Sequence, residues 1–361
     1  MNLPAPLQTD ISKQTAPRHF SPLAPAPWWL CLPSHWGGHA QTVWSALCSK
    51  THQHTAAVYR RERWATPDHD FIDVDWLSTS PDPACRHTQQ PLMVMFHGLE
   101  GSSQSHYALA MADWCARNDW AYAVVHFRSC SGDINRAPRV YHMGDYEEAD
   151  WIIQRMKQYH PGPVVAAGVS LGGNVLLRWA VESQQQAARH LSAIAIICAP
   201  LDLVSNAAQM DQGICKWTYT AMFLRTLRQK CEAKIKQYPG LFDIQAARSA
   251  KTFAEFDNAV TAPLHGFKNN IDYWTRNSIH ASALDNVRIP CLLLNPLNDP
   301  FVLASSLPKT TNQEWITYLR PAYGGHLGFA ASTFPGNFQA FSHTIGSYLD
   351  NFISDQTQKQ V

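Results

Sequence analysis

No block of like charge occurs in this chain. Its 29 Lys and Arg residues are matched by 28 Asp and Glu, interspersed, for a formal net charge of +1. That balance supplies neither an electrostatic footprint for nucleic acid nor a polybasic membrane anchor. Apolar runs of membrane-spanning length are lacking too, and the N-terminal stretch has no charged start followed by an apolar core. The expectation is a soluble, cytoplasmic protein with no integral membrane span. CxxC pairs are also missing, although nine cysteines are present, so the usual signal for zinc or dithiol chemistry is absent. Cys198 and Cys291 lie inside apolar, strand-like runs, as free buried thiols in a reducing compartment would.

What is there falls into three parts. Residues 1–30 are rich in proline, which removes backbone donors and biases its neighbours away from helix. They are expected to be extended and to lie outside the core, leaving 31–355 as a single domain. "YRRERWATPDHDFIDVDWLS" shows alternating apolar residues around Pro67, the pattern of an antiparallel hairpin. From Pro91, short apolar runs ("LMVMFHG", "AYAVVHF", "VVAAGVS", "AIAIICAP", "CLLLNPL") alternate with segments of helix length. Helices are expected near 106–117, 145–159, 170–188 and 337–352. Strands buried on both faces and separated by helices make an α/β fold with a mainly parallel sheet. Between strands 6 and 7 the rhythm breaks. About 203–285 is read as a helical cap insertion over one end of the sheet.

Gly168, Ser170 and Gly172 spell GxSxG. Such a match arises by chance about once in ten chains of this length, so its setting has to carry the argument. An apolar strand ends at Gly168 and a helical pattern begins at Leu171, which puts Ser170 on a sharp strand-to-helix turn where a neighbouring Cβ would collide. The helix start offers unpaired N–H groups and the positive end of a dipole to a developing oxyanion.

A serine hydroxyl needs a base, and the base needs an orienting acid. Asp299 follows "CLLLNPLND" and His326 lies in "RPAYGGHLGF" after the strand-like "WITYLR", giving the order Ser, Asp, His of an α/β-hydrolase. Asp202 and Asp285 remain competing acids. The loop after His97-Gly98 is placed to supply a second oxyanion amide, so Leu99 N–H and Leu171 N–H are the candidates. His97 itself reads as a loop-shaping residue. His35 and His39 have the spacing of two metal ligands on a helix, but Gly37 and Gly38 between them disfavour helix and no third ligand is evident. Arg128 and Arg136 are expected to pair with Asp133 or Asp145.

Several motifs together ("GGHAQTVW", "HGLEGSSQSHY", "FRSCSGDINRAPRVYHMGD", "GVSLGGN", "FDNAVTAPLHGF", "LNPLNDPF", "GGHLGF") span about 34–330. On these the chain resembles the YheT-like branch of the α/β-hydrolases, the AB hydrolase 4 family, whose eukaryotic members are associated with lipid and ester cleavage. The resemblance implies a triad of Ser170, Asp299 and His326 and places the "HWGGHAQ" segment near the mouth of the site. Ser129 departs from it, standing where glycine is expected. The function expected is a serine hydrolase of carboxylic esters, with short- to medium-chain acyl or lipid esters as substrates and no metal or other cofactor. Acyl transfer by the same triad and a non-catalytic binding protein remain the alternatives. In the cap, Trp217, Tyr219, Met222, Phe223 and Leu224 either line an acyl pocket, with Phe223 its named contact, or pack into the cap's own core.

Overall fold

The computed structural model describes residues 23–32, 34–48, 57–79, 89–309 and 314–358. Eight strands form one sheet: β1 (Tyr59–Ala65), β2 (Phe71–Leu77), β3 (Leu92–Phe96), β4 (Ala121–His126), β5 (Val164–Val169), β6 (Ile194–Ile197), β7 (Cys291–Leu294) and β8 (Ile316–Leu319). Their spatial order is β1-β2-β4-β3-β5-β6-β7-β8. β1 and β2 make the antiparallel hairpin expected around Pro67, β2 runs antiparallel to β4, and every other pairing is parallel.

The continuous apolar strands follow from burial on both faces. In β3, Leu92, Val94 and Phe96 join one core with Ile152, Leu176 and Trp179. Met93 and Met95 join the opposite core with Met111, Trp114, Phe341 and Tyr348. The helices responsible are α1 (Ser34–Leu47), α2 (His106–Arg117), α3 (Tyr146–Tyr159), α4 (Leu171–Ser183) and the C-terminal helix Gln339–Gln358. A fully buried side chain of this kind contributes about 1.5–3 kcal/mol, so both layers are needed to hold the central strands flat against water.

The cap lies between β6 and β7, as expected, and includes the helices Leu203–Met210, Ala221–Gln237 and Asn270–Asn277. Leu224, Cys231, Phe256 and Val260 form a small core of its own.

Four local expectations change. Helix α1 runs straight through Gly37 and Gly38. A Cβ on Gly38 would lie 1.9 Å from the Asn298 carbonyl oxygen, so close packing against another loop outweighs the weak helix propensity of glycine. Exclusion of the first thirty residues fails at their end, because Leu30 is buried and Leu23 and Trp29 pack on the core; residues 1–22 lie outside the described residues. Strand β2 is buried along its whole length, Asp73 and Asp75 included, since Arg63 and Arg61 across the hairpin pair with them. The helix expected to reach 188 stops at Ser183, after which Gln184 has a positive φ.

Candidate active site

Strand β5 delivers its last residue, Val169, directly into Ser170, and α4 begins at Leu171. Ser170 has φ 53° and ψ −117°, a strained backbone for a residue with a Cβ. Its own N–H is held by the Ile197 carbonyl at 2.8 Å. The flanking glycines are sterically required: a Cβ on Gly168 would sit 2.5 Å from the Gly172 oxygen, and one on Gly172 would sit 2.4 Å from the Phe96 oxygen. The hydroxyl is thereby raised above the carboxyl edge of the sheet.

There it meets His326, with Nε2 3.0 Å from Ser170 Oγ. On the other side of the ring, Nδ1 lies 2.9 Å from Asp299 Oδ2. Asp299 is buried, and its second oxygen accepts from the N–H groups of Phe301 (2.7 Å) and Val302 (3.1 Å). Phe301 also stacks on the His326 ring, centroids 4.2 Å apart. The His326 backbone N–H donates to Thr42 Oγ1, which itself donates to the Gly38 carbonyl. Helix α1 therefore holds the imidazole loop in place, which explains why "GGHAQT" packs so tightly beside it.

Next to Ser170, the loop after β3 presents Leu99. Its N–H donates to no acceptor among the described residues, and neither does that of Leu171 at the first turn of α4. Free amides at a helix start and an adjacent loop are what a developing oxyanion needs. Above them opens a cavity of about 660 Å³, lined by Leu99, Ser170 and His326 below and by Tyr219, Met222, Phe223 and other largely apolar side chains of the cap above. Helix α1 closes one side with Val43, Ala46 and Leu47.

A family model described as the alpha/beta hydrolase fold matches residues 91–331. The chain belongs to that family. Within this α/β hydrolase family it is 32% identical over 299 residues to the putative esterase YheT of Escherichia coli, covering 82% of this chain and 85% of that one. It is 27% identical to the mouse (Mus musculus) phospholipase ABHD3, covering 77% and 68%. It is also 27% identical to a medium-chain fatty acid ethyl ester synthase/esterase of Saccharomyces cerevisiae, covering 68% and 59%. Among solved structures, the Pyrococcus furiosus esterase Pf2001 superposes with a TM-score of 0.50 at 12% identity over 85% of this chain and 99% of that chain, a likeness of fold alone.

Other residues of this α/β hydrolase take places that the sequence left open. Asp202 does not approach His326; it caps the helix Leu203–Met210, accepting from Ser205 N–H at 3.1 Å. Asp285 lies in the 3-10 turn Ala281–Asn286, ahead of β7. His97 uses both ring nitrogens locally: Nδ1–H donates to the Gly98 carbonyl at 2.7 Å and Nε2 accepts from Phe127 N–H at 3.1 Å. Burial pulls its pKa down to about 3, so it stays a neutral brace for the loop. Arg128 is buried and pairs with Asp68, Asp70 and Glu148, in place of the expected Asp133 or Asp145. Those two acids are taken by Arg63 and Arg139, and the Arg136 guanidinium lies 5.6 Å from the centroid of the Phe71 ring. Ser129 adopts φ 64°, the conformation that favours glycine. Its hydroxyl offsets the strain by bonding the side chain and the backbone N–H of Asn135.

Helix α1 does put His35 and His39 on consecutive turns. His39 turns to the cap, Nδ1 3.1 Å from Tyr219 OH with the rings stacked; the side chain of His35 is outside the described residues. The set of three potential metal ligands found among the described residues is Cys198, Asp299 and His326. Burial pushes the Cys198 thiol well above its usual range, and the other two are already bonded to each other, so the donor set suits a proton path better than an ion. The five cap residues divide. Tyr219, Met222 and Phe223 line the cavity, Leu224 belongs to the cap core, and Trp217 is 76% exposed.

Motif reading did not single out Thr42, Tyr107, Tyr141, Glu100, Lys230 or Asp257 as site residues. All but Lys230 lie inside the motifs that carry the family resemblance, so those motifs were the signal that could have found them, while the partners that give each its place come from distant segments.

Proposed function

We propose that the protein is a serine hydrolase of carboxylic esters. One observation carries the reading: the unbroken hydrogen-bonded path from Ser170 Oγ through His326 to Asp299, set at the floor of a cavity lined mainly by apolar side chains. Ser170 attacks the ester carbonyl as His326 Nε2 takes its proton. Asp299 orients the ring and stabilises the imidazolium. The tetrahedral oxyanion accepts from Leu99 N–H and Leu171 N–H, aided by the positive end of α4. His326 returns the proton to the leaving alcohol, and water repeats the cycle on the acyl-enzyme. No metal or cofactor enters these steps.

The relatives named as esterase and phospholipase support an ester as the substrate class. A cavity of this size and lining suits short- to medium-chain acyl or lipid esters. A single hydrolase domain, expected over 31–355 and extended at its start by Leu23, Trp29 and Leu30 packing on its core, with 203–285 as its cap, is the domain organisation that goes with this reading. Acyl transfer to an alcohol uses the same residues, and the yeast relative is named for both directions. Product analysis with ethanol present separates the two.

The test is covalent labelling by a fluorophosphonate together with turnover of p-nitrophenyl esters. Wild type takes the label and cleaves the esters. Ser170→Ala remains folded, takes no label and loses roughly 10⁶ in kcat. A fully active Ser170→Ala protein overturns the proposal.

A further inference from the structure

The loop that carries Leu99 is braced at every neighbouring peptide. Gly98 N–H donates to Tyr107 OH at 2.9 Å, and Glu100 N–H donates to Tyr141 OH at 3.0 Å. The Gly98 carbonyl, on the same peptide as the Leu99 N–H, accepts from His97 Nδ1–H and from Gly101 N–H at 2.9 Å. Between Gly98 and Gly101 the Leu99 amide is the one left without an acceptor among the described residues, and Leu99 lines the cavity that holds Ser170.

Glu100 is the unusual member of this loop. Its φ is 56°, a conformation that a residue with a long side chain adopts only when its surroundings impose it. The carboxylate accepts from Tyr141 OH at 2.7 Å and from Lys230 Nζ at 2.5 Å. Both side chains of the ion pair are largely buried, 18% exposed for Lys230 and 11% for Glu100. Lys230 comes from the cap helix Ala221–Gln237, and its ammonium also lies 3.2 Å from Cys130 Sγ. Burial keeps the Tyr141 hydroxyl protonated, so it can donate to the carboxylate while accepting from the same residue's N–H. Tyr141 in turn is anchored by stacking on Phe127, centroids 5.4 Å apart.

We infer that Lys230 and Tyr141 are positioning residues for the oxyanion-binding amide of Leu99, acting through Glu100, so that the seating of the cap and the alignment of that amide are one event. The inference rests on the proposed roles of Ser170 and Leu99. Its physical basis is that the Gly98–Leu99 peptide, which carries this N–H, is joined directly to the Leu99–Glu100 peptide, whose own N–H donates to Tyr141 OH, and the two bonds to the Glu100 carboxylate hold that second peptide in its left-handed setting. Breaking a buried pair by removing one partner leaves the other charge uncompensated, so the loop relaxes when Lys230 is lost.

The experiment compares wild type, Lys230→Met, Tyr141→Phe and Lys230→Arg on a soluble butanoate ester, with active sites counted by the fluorophosphonate burst. Lys230→Met and Tyr141→Phe are expected to lower kcat per counted site roughly tenfold, less than the 10²–10³ typical of losing an oxyanion donor outright. KM stays within about twofold. Affinity for a trifluoromethyl ketone, whose adduct with Ser170 carries the oxyanion, weakens by the same factor as kcat. Lys230→Arg restores most of both. If kcat per counted site and ketone affinity stay within twofold of wild type in both variants, whatever happens to Tm, the cluster serves folding alone and the inference is overturned. A rise in KM without a fall in kcat overturns it too, because the cap would then be touching substrate only. Wild type that takes no label rejects the nucleophile assignment itself, and this inference falls with it.

Discussion

Asp299 and His326 meet across two loops, Oδ2 to Nδ1 at 2.9 Å, and the other Asp299 oxygen is tied to two backbone amides. The carboxylate is held from behind, so it cannot rotate away from the ring. Asp299→Asn is expected to keep the fold and lose about 10⁴ in kcat, because an amide favours the wrong imidazole tautomer. Asp202→Asn should stay within a few-fold of wild type, since Asp202 caps a helix. Steady-state kinetics on the two variants decide; a larger loss at Asp202 means that the acid is misassigned.

Gly38→Ala tests how α1 supports the His326 loop. Helix propensity alone would favour alanine by about 1 kcal/mol. The collision with the Asn298 carbonyl should dominate and destabilise the protein by about 1–3 kcal/mol. Because Asn298 precedes Asp299 and Gly38 accepts from Thr42, kcat should fall as well. Urea unfolding beside kinetics measures both, and an alanine variant with unchanged stability would show that the loop yields.

Three cap substitutions separate pocket from core. Phe223 lines the cavity, so Phe223→Ala should lower kcat/KM for octanoyl esters relative to acetyl, at about 0.8 kcal/mol for each methylene no longer desolvated. Leu224→Ala should cost about 2–5 kcal/mol of stability, as a buried residue of the cap core. Trp217→Ala should alter neither, being 76% exposed. A preference for acetyl that Phe223→Ala leaves untouched makes the cap a cover and no acyl pocket.

Stability should fall between pH 7 and 5. Burial holds His97 and His265 at about 3 and His106 at about 4, below the ordinary value near 6.5. The unfolded chain therefore binds more protons below pH 6.5, and the stability of burying neutral rings is lost as pH drops. Asp257 acts in the opposite sense: burial raises it to about 6, so the folded state gains a proton first and is favoured as pH falls through 6. Asp257→Asn removes that compensation and should steepen the acid loss by on the order of 1 kcal/mol at pH 5. Urea unfolding at pH 7, 6 and 5 reads the difference; a shallower slope in the variant contradicts the assignment.

The alternating strands and helices, the cap between strands 6 and 7 and the turn at Ser170 were legible from the residues alone. Each rests on short-range causes: apolar runs buried on both faces, helix-length spacing, and glycines where a Cβ cannot fit. That Ser170, Asp299 and His326 come to one place could be expected too, because each follows a strand and the carboxyl ends of parallel strands share one edge. The sequence already favoured Asp299 over Asp202; the tertiary structure adds their positions, since both follow strands but the loop path puts Asp299 2.9 Å from His326 while Asp202 caps a helix. Folding also drove α1 through two glycines, moved Arg128 from its expected partners to Asp68, Asp70 and Glu148, and joined Glu100 to a lysine that lies 130 positions away. The pairings themselves leave no local signature even where the segments do, and their energies come from burial and charge pairing that exist only once the chain has closed on itself.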